Sequence, residues 1–386
     1  VEGARHATGD VIVFLDAHIE VNANWLPPLL EPIVLNPKTA TVPILDSFSP
    51  HTLEYETPLG HGTRGGFDWS FRYKWLPRRD EDNVTDGEPF ALPVMTGGAY
   101  AISRDYFFEL GAYDEGLELY NGENYEMSFK LWLCGGQLLI VPCSHVVHTS
   151  KLRVKYREVN SDYEARNFKR ISEVWLDEYK ELYYKSNPLS RDINAGDLSK
   201  QFELKEKLKC KPFKYFLEEI ASDMTDRYPT YERGDFAKGA IISEADPTLC
   251  VATNYPNFQD PLKLEACCTN KAVPENPFQN FIFTWNRMII WGEVVHSQCI
   301  NAEDLNLNDC HYQFSNQLWR YEPKTHQLFS PYKNKCISAV VQTKLFTLEA
   351  CNATDIKQKF QWGYLNTTAV ENWETFGIKL PKLYLN

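Results

Sequence analysis

Val11-Ile-Val-Phe-Leu15, bounded by Gly9-Asp10 before it and Asp16-Ala-His18 after it, is the stretch that decides the fold of the first half. Five apolar residues in a row between polar stops predict a strand buried on both faces, as in an α/β sheet. A helix is expected from Trp25, with Pro27 and Pro28 accommodated in its first turn. A second apolar run, Gln137-Leu-Leu-Ile-Val141, is expected to be another buried strand that ends at Pro142-Cys143. In extended chain, residues two apart project to one side, so Asp16 and His18 can reach a single cation. They also follow a strand end, where open α/β sheets bind their ligands. A carboxylate with imidazole suits manganese or a similar divalent ion and leaves positions open for phosphate oxygens. A third ligand is expected from Cys143-Ser-His145-Val-Val-His148, where spacing alone leaves both histidines open.

Further along, Ser161-Asp-Tyr-Glu164 reads as a capping box opening a long helix. Phe168, Ile171, Trp175, Tyr179 and Leu182 recur at helical spacing, and the helix is expected to stop by Asn187-Pro188. Residues 186–234 are polar, with one short apolar helix around Phe213 to Ile220, and read as a connector. Beyond residue 235 the chain turns to short β-type segments with an internal repeat. Gln279-Asn-Phe281, Gln317-Leu-Trp319 and Gln358-Lys-Phe360 are spaced by 38 and 41 residues. Each unit carries cysteines: Cys250 with Cys267 or Cys268, Cys299 with Cys310, and Cys336 with Cys351. Three such units predict a β-trefoil. The chain therefore divides into an α/β part over 1–185, a linker over 186–234 and an all-β domain over 235–386.

Composition narrows the function. A length of 386 residues suits two domains, and 43% hydrophobic residues suffice for two cores. The net charge of −12, without a long Lys/Arg run, excludes nucleic acid as the main partner. Ten cysteines and the sequons at Asn83, Asn352 and Asn366 point to an oxidising secretory compartment. No stretch is apolar enough to span a bilayer. The chain opens at Val1 without an initiator Met, just before a core strand, and is read as a piece of something longer.

Other segments read either as places where a sugar or nucleotide approaches or as plain turns. Asn121-Gly-Glu123-Asn124 places a carboxylate and an amide after a flexible glycine, and in isolation reads first as a polar turn. Arg64-Gly-Gly-Phe-Asp-Trp69 and Met95-Thr-Gly97-Gly98 combine glycines with aromatic or apolar neighbours and would let a ligand approach the backbone, or would simply form tight turns.

These motifs occur in one order: Asp16-Ala-His18, Arg64 to Trp69, Met95 to Gly98, Gly122-Glu-Asn124, Cys134-Gly-Gly136, Pro142-Cys-Ser144, Glu173-Val-Trp-Leu-Asp177 and Lys209-Cys-Lys-Pro-Phe213. With the repeat, the whole chain resembles the polypeptide N-acetylgalactosaminyltransferases. The resemblance implies the C-terminal half of a GT-A glycosyltransferase domain, a mixed sheet with flanking helices, followed by a ricin B-type trefoil lectin domain. The implied reaction is retaining, Mn2+-dependent transfer of GalNAc from UDP-GalNAc to Ser or Thr of polypeptides or glycopeptides, initiating mucin-type O-glycosylation. The implied setting is the Golgi lumen, with a membrane anchor upstream of Val1.

By resemblance the metal ligands are Asp16, His18 and His148, and His145 is not one. Glu123 and Asn124 match residues at the reaction centre; Arg64, Gly97, Gly98, Tyr120, Lys151 and Tyr156 match donor-contacting positions. Cys134 is expected to pair with Cys210, and Cys143 with a cysteine before Val1. The upstream, uracil-holding part of the fold is expected to be missing, so this piece should bind UDP weakly.

Departures from the family pattern are as informative. Tyr120-Asn121 stands where Trp-Gly is usual, Lys151 where Arg is usual and Val154 where His is usual. Lys151 keeps a charge without the bidentate fork. In the trefoil the sugar-gripping Asp is missing from all three repeats, and Asn301 alone offers an amide substitute. A second reading follows, a weak or inactive homologue that binds carbohydrate or protein in the Golgi as a regulator.

Overall fold

The computed structural model describes residues 1–48, 55–56, 63–79, 85, 87–148, 162–228, 230, 234–253, 260–291, 298–310 and 315–373. The chain forms two units, Val1–Thr230 and Tyr231–Asn386.

In the first unit the expected run becomes β1 (Val11–Leu15), with β2 (Ile19–Val21) three residues later. α2 (Leu26–Leu35) starts at the Trp25 cap with Pro27 and Pro28 in its first turn; a short helix, α1 (Glu2–His6), precedes β1. β3 (Thr39–Phe48) is followed by the short strands β4 (Tyr55–Glu56), β5 (Thr63–Phe67), β6 (Tyr73–Pro77) and β7 (Phe90–Ala91), then by β8 (Ala99–Ser103), the helix α3 (Arg104–Glu109) and β9 (Gln137–His148), and the sheet path is β1-β8-β3-β9-β2. β3 and β9 run parallel, while β1 with β8, β8 with β3, and β2 with β9 are antiparallel. A mixed sheet is the result.

Two strand expectations need correction. β1 is not buried on both faces: only Ile12 is buried, and Leu15 is 42% exposed. Among the described residues it pairs on one side only, with β8, so its apolar run serves a sheet edge beneath α2. β9 does not end at Pro142-Cys143. Its register to β3 jumps from Pro43↔Val141 to Ile44↔His145, so Pro142, Cys143 and Ser144 form a bulge and pairing resumes. That continuation carries His148 to a position opposite Ile19.

α4 (Glu123–Leu133) is almost wholly buried behind the sheet. α5 (Asp162–Trp175) meets it where the Phe168 ring lies edge-on to Tyr125 at 6.0 Å, and buries Phe168, Ile171 and Trp175, each burial stabilising by about 1.5–3 kcal/mol. The single long helix expected from residue 161 is instead broken. Asp177 has φ +49° at a 3₁₀ turn, and α6 (Lys180–Ser186) follows on a new axis. Asp177 accepts from Lys205 Nζ at 2.6 Å and from the Phe213 N–H at 2.7 Å. Its carboxylate thus ties α7 (Ser199–Lys207) and the apolar helix at Phe213–Ile220, both within the first unit, to the end of α5. Cys134 and Cys210 are bonded across 76 residues of sequence, a second tie to the same stretch.

The second unit has twelve strands among its described residues, β10 (Ala237–Ser243) through β21 (Phe360–Leu365). Phe281, Trp319 and Phe360, each fully buried, lie in one apolar cluster. The glutamines two residues before them have a repeated task. Gln279, Gln317 and Gln358 donate to the backbone carbonyls of Ala266, Asp309 and Ala350, each just before the second cysteine of its unit. The bridges are Cys250–Cys267, Cys299–Cys310 and Cys336–Cys351; Cys143 and Cys268 remain thiols.

Candidate active site

Three side chains from two segments, the β1–β2 link and the end of β9, converge where β1 leads into β2. Asp16 follows β1 directly, and its N–H donates to the Gly98 carbonyl at 2.9 Å. His18 precedes β2, and His148 ends β9 opposite it. His148 Nε2 lies 3.2 Å and His18 Nε2 3.9 Å from Asp16 Oδ2, with the two rings edge-to-face at 4.3 Å between centroids. All three donor atoms fall within 4.8 Å of one another. One carboxylate oxygen and two imidazole nitrogens, half-exposed on one side, form a donor set suited to a divalent ion of borderline hardness with coordination positions left open. His145, the other candidate by spacing, is elsewhere engaged: its Nδ1 sits 2.9 Å from Asp46, a fully buried carboxylate.

Gly97 and Gly98 join this cluster to the next. A β-carbon on Gly98 would lie 3.3 Å from the His148 ring and 3.7 Å from Asp16 Oδ2. Gly97, at φ +96°, would place one 3.2 Å from Asn124 Cβ and 4.0 Å from Glu123 Oε1. The two glycines therefore let the start of α4 come close to Asp16 and His148. Asn124 is nearly buried and donates to the Met95 carbonyl at 3.0 Å. Glu123 is half-buried, and burial raises its carboxyl above the ordinary range. The N–H groups of Glu123 and Asn121 bond it and pull the other way, and the charge of Asp16 adds to the rise.

The remaining candidates separate into those near the site and those away from it. Tyr120 stands 56% exposed on the loop leading to α4, 5.9 Å from the Tyr163 ring. Lys151, Val154 and Tyr156 lie outside the described residues, as does Ser161. Glu164, the other half of the expected capping box, receives the side-chain amide of Asn121.

Arg64 is a correction. Its side chain is fully buried and pairs with Asp223 at 2.6 Å, so it holds the first unit together rather than facing a substrate. Its glycine neighbours serve packing as well: a β-carbon on Gly65 would fall 2.0 Å from the Val94 carbonyl oxygen.

Asn301 also departs from expectation. It is nearly buried, and its side-chain oxygen accepts from the Glu303 N–H at 3.0 Å, making a turn instead of an open sugar contact.

Residues that sequence reading missed lie beneath the loop before α4. Asn167 is fully buried on α5 and bonds that loop, and Arg170 grips Asp114 through Nε and Nη2 at 2.8 and 3.0 Å. Both are polar residues inside the apolar stripe of a helix, which was the available signal.

Residues 1–111 match the family model described as glycosyl transferase family 2, and residues 237–360 match the ricin-type beta-trefoil lectin domain. Polypeptide N-acetylgalactosaminyltransferase 10 of Rattus norvegicus is 40% identical over 96% of this chain and 62% of its own length. N-acetylgalactosaminyltransferase 4 of Drosophila melanogaster is 39% identical over 97% of this chain and 60% of its own. The chain thus spans about three fifths of the curated relatives it matches. The crystal structure of GalNAc-T7 with UDP, GalNAc and Mn2+ superposes with a TM-score of 0.61 at 32% identity, covering 94% of this chain and 67% of that one. The two units are accordingly a GT-A fold and a β-trefoil. On this evidence the chain belongs to the polypeptide N-acetylgalactosaminyltransferase family.

Proposed function

We propose that the intact protein transfers N-acetylgalactosamine from UDP-GalNAc to Ser or Thr hydroxyls of polypeptides, with Mn2+ held by Asp16, His18 and His148. The observation that carries this reading is the convergence of those three donors within 4.8 Å, beside Gly98. Bound there, the ion supplies charge neutralisation for a diphosphate leaving group. Gly97 and Gly98 keep the wall between the ion and α4 thin. Glu123 and Asn124 present a carboxylate and an amide across it, with Asn124 fixed by the Met95 carbonyl. The exposed Tyr120 ring offers a face for the sugar or its peptide. Lys151 and Tyr156 belong to the segment proposed to close over the nucleotide.

The setting proposed is the Golgi lumen, with the anchor upstream; among the described residues no helix is long and apolar enough to cross a membrane. In this reading residues 1–185 are the C-terminal part of the catalytic domain, 186–234 link it to the lectin domain, and 235–386 form that domain.

A second reading, a weak homologue acting as a binding regulator, is favoured by Asn121. Its side chain is bonded to Glu164 in a backbone conformation, φ +75°, that glycine adopts more freely. Incubation of the intact protein with UDP-GalNAc, Mn2+ and a Ser/Thr peptide, followed by mass spectrometry, separates the two. A one-sugar mass increase on the peptide supports transfer. An unmodified peptide that still binds the protein supports the regulator.

A further inference from the structure

The loop over residues 114–122 delivers Glu123 and Asn124 to the site, yet its own backbone is strained. Leu119, Asn121 and Gly122 have φ of +56°, +75° and +118°, three left-handed residues within four positions. Such a path persists only where its surroundings over-determine it. A single side chain supplies most of the restraint. Asn167 of α5, fully buried, accepts the Glu118 N–H at 2.9 Å. It donates to the carbonyls of Glu118 at 2.8 Å, Asn121 at 3.0 Å and Tyr120 at 3.4 Å. One amide thus engages four backbone polar groups of three residues, Glu118, Tyr120 and Asn121.

The consequence reaches the site in two steps. Asn167 holds the carbonyl of Asn121, and Gly122 follows it directly. Gly122 caps α4, with its carbonyl accepting the Glu126 N–H at 2.9 Å. It lies so close to α5 that a β-carbon would come within 2.9 Å of Ile171 and 3.3 Å of Asn167. Moving Asn167 therefore moves the first turn of α4.

The geometry points to Asn167 as a positioning residue for sugar transfer: it holds the 118–122 backbone and, through Gly122, the first turn of α4 that carries Glu123. The assignment rests on the transferase reading for its effect on rate, and on the hydrogen bonds alone for its effect on the loop. Arg166, donating to the Gly116 carbonyl at 2.6 Å, and Arg170 on Asp114 secure the upstream half of the same loop from the same helix.

The test uses the intact protein with Asn167→Ala, Asn167→Asp and, as a control on the outer side of α5, Lys169→Ala. Amide hydrogen exchange is read over residues 118–122. The kcat and donor KM are read per active site, with folded sites counted by UDP titration in Mn2+. Asn167→Ala should speed exchange at Glu118 by about tenfold or more, the protection lost with a buried hydrogen bond. It should lower kcat about tenfold or more while donor KM stays within about threefold, as misplacement of a reacting group does. Asn167→Asp keeps an acceptor for the Glu118 N–H, so it should restore protection at that amide while leaving kcat low. Lys169→Ala should change neither. Unaltered exchange at residue 118 in Asn167→Ala, or a kcat per counted site within about twofold of the parent, overturns the assignment. If the unsubstituted protein transfers no sugar, the transferase reading fails by itself and the exchange result alone decides whether Asn167 holds the loop.

Discussion

Glu123 carries a cost that the site imposes on it. Burial raises its carboxyl, so the folded chain holds this proton to a higher pH than the unfolded chain does. Stability from this group therefore falls as pH rises from the ordinary glutamate value, about 4.3, through the raised one. Glu123→Gln removes the ionisation. In the presence of a chelator, the variant is expected to melt above the parent at neutral pH, with the gap closing toward about pH 4. Thermal scans across that range check it, and a variant that melts lower at neutral pH contradicts it. Asn301 makes a second expectation at this scale. With its oxygen engaged by the Glu303 N–H, and Ala252, Asn301 and Ser338 standing where the family has its sugar-gripping Asp, GalNAc binding by the trefoil should be undetectable in titrations of the intact protein. Saturable binding that survives Asn301→Ala would show that another face of the trefoil takes the sugar. Residue types and strand ends made Asp16 and His18 readable as neighbours but left His145 and His148 both open; only the resemblance singled out His148, which the structure brings beside them. Arg64 was misread because a motif reports that a residue occurs in the family, not which way its side chain points; here it meets Asp223, 159 residues away.

Among the elements, the helix after residue 162 shows what periodicity can and cannot tell. Phe168, Ile171 and Trp175 follow the helical period and are buried as it implies. The same pattern continues through Tyr179 and Leu182, but the backbone does not. The break at Asp177 is stabilised by partners at 205 and 213, which no local pattern contains. Asp177→Ala loses a hydrogen bond to a lysine and one to a backbone N–H, and puts alanine at positive φ. The expected cost is about 2–4 kcal/mol, measured by urea unfolding. A change below about 0.5 kcal/mol would mean that the break does not depend on these bonds. β9 teaches the same lesson: Pro142 reads as a stop, yet a bulge absorbs it, and His148 reaches the site because the strand resumes.

At the scale of the whole molecule, the repeat of Gln-x-aromatic at about forty-residue spacing made the trefoil readable, because each unit reuses one hydrogen bond beside one cysteine. The mixed sheet was less readable, since β1 and β2 are consecutive in sequence but stand at opposite ends of the sheet path. The Cys134–Cys210 bridge should matter most to the first unit, as it closes the longest loop of the four. Chain entropy assigns such a loop about 4 kcal/mol. Replacing both cysteines by serine should lower the stability of the 1–230 unit by that order, and a loss under about 1 kcal/mol would show that the unfolded chain is already constrained there. The central claim is the metal centre, and titration of the intact protein with Mn2+ in the presence of UDP, followed by the free-ion electron paramagnetic resonance signal, tests it most directly. One tight ion per chain is predicted, weakened about 100-fold or more by Asp16→Ala, His18→Ala or His148→Ala and unchanged by His145→Ala. Parent-like affinity in His148→Ala, or loss of binding in His145→Ala, would contradict it.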